Sequence, residues 1–142
     1  MFSKACEYGI RAVIIIESYS RNNKKIGIKE ICAGINAPEP FTAKILQNLS
    51  RLEIISSTKG PNGGFFIEKD KDIKLIEIVL AIDGNKIITQ CGLGRKECSE
   101  LNPCPIHTDF KKIRDSLKHV LERTSVRRIS EDIDNGLAFL KK

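Results

Sequence analysis

The run Gly60-Pro61-Asn62-Gly63-Gly64 constrains this chain more than any other five residues. Proline has no amide proton to give a helix, and glycine in a helix interior costs about 1 kcal/mol relative to alanine. The run is therefore a turn. It is flanked by Ile54-Ile55-Ser56-Ser57-Thr58 and Phe65-Phe66-Ile67, which are rich in β-branched and aromatic residues. Two short strand-like segments joined by a glycine-rich turn predict a β-hairpin. Any fold for this chain has to place that hairpin among helices, because apolar spacing of three and four dominates elsewhere.

Residues 3–20 are expected to be helical, with Ser3 as N-cap and Cys6, Ile10, Val13 and Ile14 on one face. Residues 28–35 form a short amphipathic helix through Ile28, Ile31, Cys32 and Ile35. Gly34 to Pro40 contains the break, and Pro38 suits the entry to a further helix reaching Glu53. That helix is expected to bury Phe41, Ile45, Leu49 and Leu52. Two helices joined by a tight turn, with a hairpin after the second, make a helix-turn-helix with a wing.

Downstream, residues 73–82 predict a helix that ends near Asp83-Gly84. A longer helix follows from about Thr108 to Glu122, with Phe110, Ile113, Leu117, Val120 and Leu121 spaced three and four apart. Little else in the chain is available to cover that stripe. A coiled-coil-like dimer contact is one answer and packing on its own domain is the other. The tail is expected to hold a short helix near Ser130 and a docking turn at Leu137, Phe139 and Leu140. The expected fold is mainly α with a small β-hairpin: a winged helix-turn-helix plus a long dimerisation helix. The segments are 1–83 for the winged unit, 84–107 for a cysteine-rich loop, and 108–142 for the dimerisation helix and tail.

Net charge is +6 and the isoelectric point about 9.1, a balance that favours a polyanionic partner, nucleic acid ahead of an anionic membrane. No apolar run approaches the ~18 residues of a membrane span, and no signal-peptide pattern is present, so a cytoplasmic location is expected. For double-stranded DNA the candidate contacts on the second helix are Thr42, Lys44, Gln47 and Arg51. Polar residues near a recognition-helix start reach base edges, and later basic residues meet phosphate. Lys59 and Asn62 on the wing are candidates for the minor groove or phosphate, and Lys4, Tyr8 and Arg11 for phosphate. For each of these the alternative is an ordinary solvated helix face.

Cys91, Cys98 and Cys104 lie within fourteen residues, His107 follows, and the stretch is rich in glycine and proline. Thiolates and an imidazole this close on loop-like backbone point to a soft-metal or redox site. In a reducing compartment an odd count of five cysteines argues against a disulfide framework. Cys6 and Cys32 fall on apolar helix faces and are expected to be buried hydrophobes, with His119 on the surface. A thiol-exchange enzyme is disfavoured, because the chain has no C-x-x-C and no βαβ pattern. A metal-binding adaptor without DNA contact stays open.

Ser3-Lys4 followed by Tyr8, the helix-turn-helix, the wing from Lys59 to Gly64 and the three-cysteine loop together resemble the Rrf2 family of bacterial regulators, over roughly residues 1–130. The resemblance implies a winged-helix homodimer joined through the long helix and binding a two-fold related operator. One branch carries a [2Fe–2S] cluster on three loop cysteines and a histidine, which would make Cys91, Cys98, Cys104 and His107 the ligands. The nitric-oxide-sensing branch differs in its fourth ligand. In some members an acidic residue of the first helix reaches across the dimer, and Glu7 occupies that position here. Cys98-x5-Cys104-x2-His107 fits the first branch, while Cys91-x6-Cys98 is one residue longer than its pattern. For the loop itself zinc, a metal-free thiol switch and a purely structural role remain open.

Overall fold

The computed structural model describes residues 1–141. The chain runs α1 (Lys4–Arg21), α2 (Ile28–Ile35), α3 (Glu39–Arg51), β1 (Ser56–Thr58), β2 (Gly64–Phe66), α4 (Leu75–Asp83), α5 (Lys86–Thr89), α6 (His107–Arg123) and α7 (Val126–Asp134). The expected fold class holds: a mainly helical chain with one two-stranded antiparallel sheet.

Helix α1 is the central post. The Ser3 side chain accepts the Cys6 amide at its start, satisfying one of the orphan donors of the first turn. Its buried face, Ala12, Val13, Ile14 and Ile16, meets α2, α3, α4 and α7 in one core with Ile31, Ile35, Leu46, Leu49, Ile78 and Val126. The β-branched run at 14–16 could serve a strand as well as a helix, and burial from several sides settles it as helix. Glu17, in the middle of this face, is buried and paired with Arg127 of α7, Nε to Oε1 at 3.0 Å.

The α2–α3 turn uses Asn36 in the left-handed region, φ 54°, with Pro38 at the N-cap of α3 as expected. The buried stripe of α3 is Thr42, Ile45, Leu46 and Leu49. This corrects the expected stripe. Phe41 is 44% exposed and Leu52 50% exposed, because the inward face is rotated by about one residue and Leu46 belongs at its centre. Phe41 lies edge-to-face on Tyr8, with ring centroids 5.8 Å apart.

In the wing Ser56 pairs with Phe66, Ser57 with Phe65 and Thr58 with Gly64. The first strand is two residues shorter than expected and the second is shifted back by one, since Ile55 and Ile67 are buried in the core instead of continuing the ladder. Gly63 closes the tip through its amide to Gly60 O at 2.9 Å, and a Cβ there would stand 2.3 Å from Thr58 O. Gly64 has φ +144°, and a Cβ would meet Ile26 O at 2.8 Å, because Ile26 and Phe65 exchange both backbone hydrogen bonds. Both glycines are therefore dictated by backbone approach.

Ile73, expected as the first turn of a helix, lies in an extended segment that bridges through Lys74 to Ser125. The predicted helix starts two residues later, at Leu75. Helix α6 packs on α4 and α5, yet of its apolar stripe only Leu121 is buried in this chain. Ile113 is 63% exposed, and Ile106 and Val120, seven residues to either side, are exposed too. The tail returns to the first unit. Helix α7, the short helix expected near Ser130, lies along α1 and puts Val126 into the main core. Leu140 docks there as expected, but Leu137 and Phe139 stay exposed. Lys142, the last residue of the predicted tail, lies outside the described residues. Among the described residues no helix is long and apolar enough to cross a membrane.

Candidate functional site

Helix α4 ends at Gly84, α5 supplies one turn, and the cysteine loop opens at Cys91. The loop is irregular up to His107, the first residue of α6. Its four candidate donors stand as two pairs. Cys91 Sγ is 3.7 Å from Cys104 Sγ, and Cys98 Sγ is 3.3 Å from His107 Nδ1. All five cysteines are free thiols. Among the described residues no three His, Cys, Asp or Glu groups converge closely enough to hold one ion.

The local electrostatics favour sulfur anions. Backbone N–H groups of Leu93 and then Arg95 donate to the Cys91 sulfur and pull its thiol below the ordinary value. Arg114 of α6, 7% exposed, donates from Nη2 to Cys98 Sγ at 3.0 Å. His107 is buried, and its Nε2 has no hydrogen-bond partner. A neutral imidazole has one donor and one acceptor nitrogen, so Nε2 is left unfilled in either tautomer. Arg114 was absent from the sequence-level candidates. An arginine seven residues after a candidate ligand His, and one position after Ile113 in an amphipathic helix, carries no signal until the loop folds back on it.

Glu7 lies on α1, half-exposed and paired with Lys4 at 3.2 Å, and among the described residues it makes no hydrogen bond or ion pair to the cysteine loop. Cys6 and Cys32 are buried as expected. Burial first, then the Asp83 carboxylate, pushes the Cys6 thiol up to about 12. Cys6 should therefore escape alkylation in the native protein at pH 8, while Cys98 and Cys104, half-buried on the loop, react. Peptide mass mapping reads this directly, and labelling of Cys6 within minutes would contradict the burial.

Away from the cysteine loop in sequence, Lys44, Gln47, Asn48 and Arg51 line one open groove along α3, with Arg51 Nη2 donating to Asn48 Oδ1 at 2.5 Å. Three of these are sequence candidates, and Asn48 is added by the geometry. Thr42 is a correction. It is 0% exposed on the inward face of α3, its hydroxyl without a partner, and cannot reach a base edge. Arg11 is half-buried, and its guanidinium donates to Ile35 O at the C-terminus of α2. Lys59 and Asn62 are exposed at the wing tip. Lys25 reaches the wing strands, donating to Thr58 Oγ1 at 3.1 Å and lying over the Phe66 ring. Lys4 is exposed beside the Tyr8 ring, and Tyr8 is half-buried against Phe41. His119 is exposed on α6, as expected.

A family model described as Rrf2, iron-dependent transcriptional regulator, matches residues 2–132. An HTH-type transcriptional regulator of Aquifex aeolicus is 26% identical over 130 residues, which is 89% of this chain and 89% of that protein. CymR (YrzC), the global cysteine regulator of B. subtilis, superposes with a TM-score of 0.75 at 20% identity, over 92% of this chain and 96% of its own. T. potens IscR gives a TM-score of 0.75 at 16% identity, over 98% and 92%. At such identities the two structures speak for the fold alone, in agreement with the mainly helical chain and two-stranded hairpin built above. With nearly the whole chain inside the family model, the protein belongs to the Rrf2 family of DNA-binding transcriptional regulators.

Proposed function

We propose that this regulator binds its operator as a homodimer through α3 and the wing, and that a [2Fe–2S] cluster held by Cys91, Cys98, Cys104 and a fourth ligand sets that affinity. His107 is the fourth ligand favoured here and Glu7 of a second copy the alternative. The observation that carries the reading is the donor set. Three thiols and a buried imidazole with an unfilled Nε2 lie within one irregular loop, beside amide and guanidinium donors that stabilise sulfur anions. Thiolates with one imidazole suit a two-iron cluster. The two-pair arrangement has to close for this, and the irregular backbone between Cys91 and His107 is free of the helical hydrogen bonds that would resist it. When bound, the cluster supplies a charge and ligation state that responds to iron supply, oxidants or nitric oxide. The loop joins α5 to α6, so its closure can reset α6, and with it the spacing of two recognition helices.

A second reading is favoured by one distance. Cys91 and Cys104, 3.7 Å apart at sulfur, are the pair best placed for a thiol switch without metal.

The deciding measurement is iron and acid-labile sulfide per chain on protein purified without oxygen. About two of each, lost in Cys98→Ala, is the expected result. His107→Ala and Glu7→Ala then assign the fourth ligand. Absence of both elements after anaerobic reconstitution would leave the thiol switch.

A further inference from the structure

We infer that Arg114 is the counter-cation and positioning residue of the cysteine site, a role that rests on the cluster reading above. The guanidinium sits on α6 and is almost fully buried. Nη1 donates to Thr89 O at 2.7 Å and Gln90 O at 2.8 Å, the two carbonyls immediately before Cys91. Nη2 donates to Cys98 Sγ at 3.0 Å, and the Phe110 ring lies 5.9 Å from the guanidinium carbon. One side chain thus ties the entrance of the loop and its middle cysteine to the long helix.

The charge is the more telling part. Among the described residues Arg114 forms no ion pair with any carboxylate, and its Nε has no partner. Burying a cation without an anion is strongly unfavourable, and arginine cannot shed its proton to escape. In the ligated site proposed above, the sulfur bonded to Arg114 is part of that anion. Three thiolates around a dipositive two-iron core leave the ligated site with a net negative charge, and one-electron reduction adds another. Arg114 offsets that charge on the side of α6, and favours the reduced, more negative state over the oxidised one. A residue that only capped the carbonyls of α5 would not discriminate between these states.

The test uses the full chain, reconstituted anaerobically, as wild type, Arg114→Gln, Arg114→Lys and the remote control Lys118→Gln. Cluster loss to a chelator is followed by visible absorbance, midpoint potential by spectroelectrochemistry, and the fold by circular dichroism. Arg114→Gln should lose its cluster roughly 10–100-fold faster, the usual scale for removing an outer partner of a metal ligand. Its potential should fall. Arg114→Lys, which keeps the charge, should stay near wild type in potential and lose its cluster more slowly than the Gln variant, and Lys118→Gln should match wild type. A Gln variant with wild-type lifetime and potential overturns the inference alone. So does a folded Lys variant that behaves no better than Gln, and the Lys variant decides the matter if the Gln variant does not fold. A wild-type chain that takes up neither iron nor sulfide overturns this inference together with the cluster reading.

Discussion

Ile113→Glu is expected to turn the protein into a folded monomer that has lost most of its operator affinity. Ile113 is 63% exposed in the single chain, so an acidic side chain there meets water and costs the monomer fold little. In the proposed dimer the same position lies midway along the heptad-spaced row Ile106, Ile113 and Val120, which is exposed throughout. A pair of carboxylates facing each other across that seam would have to be desolvated with like charges opposed. Two half-site contacts made by one rigid dimer exceed a single contact by roughly 10²–10⁴-fold. Operator affinity should drop by that order, on a duplex selected with the wild-type protein. Light scattering after size exclusion gives the mass, and fluorescence anisotropy gives the affinity. If the variant keeps the dimer mass, α6 is not the seam, and the exposed row serves something else.

Arg127→Ala should lower stability by about 2–3 kcal/mol, somewhat below the ~3–5 kcal/mol of a fully buried broken pair because Arg127 is 35% exposed on its side chain. Three bonds go at once. Glu17, with only 4% of its side chain exposed, loses its cation, and the carbonyls of Lys69 and Lys71 lose the Nη2 donor that clips the segment after the wing to α7. For a chain of this length that is a fall of roughly 6–12 °C in melting temperature. The double change Glu17→Leu with Arg127→Met should recover most of it, since an apolar pair of similar volume removes the buried charge altogether. A single-variant melting point within 2 °C of wild type would mean that water already shares the Glu17 carboxylate.

Both predictions concern residues whose chemistry is plain in the sequence and whose partners are not. Glu17 interrupts an apolar run, which marks it as odd without naming Arg127, 110 residues away. Thr42 was misplaced because Phe41, Ile45, Leu49 and Leu52 also make an acceptable helical stripe. Local periodicity fixes a stripe only to within about one position, and the tie is broken by which side chain fits the core. Leu46 and Thr42 fit, and Phe41 finds its partner in Tyr8 instead.

By itself the amino-acid order determined the elements that depend on near neighbours. The turn at 60–64, the Ser3 cap, the Pro38 entry and the amphipathic helices all follow from backbone stereochemistry and short-range spacing. It also determined which donors the cysteine loop contains, since those four residues lie within seventeen positions. Tertiary structure alone decided the rest: the return of α7 to α1, the burial of Thr42, the pairing of Cys91 with Cys104 and Cys98 with His107, and the arrival of Arg114 at the Cys98 sulfur. Each of these is a contact between segments that share no local pattern. What selects them is the burial of apolar surface over the whole chain, with every charge drawn inside obliged to find a partner there.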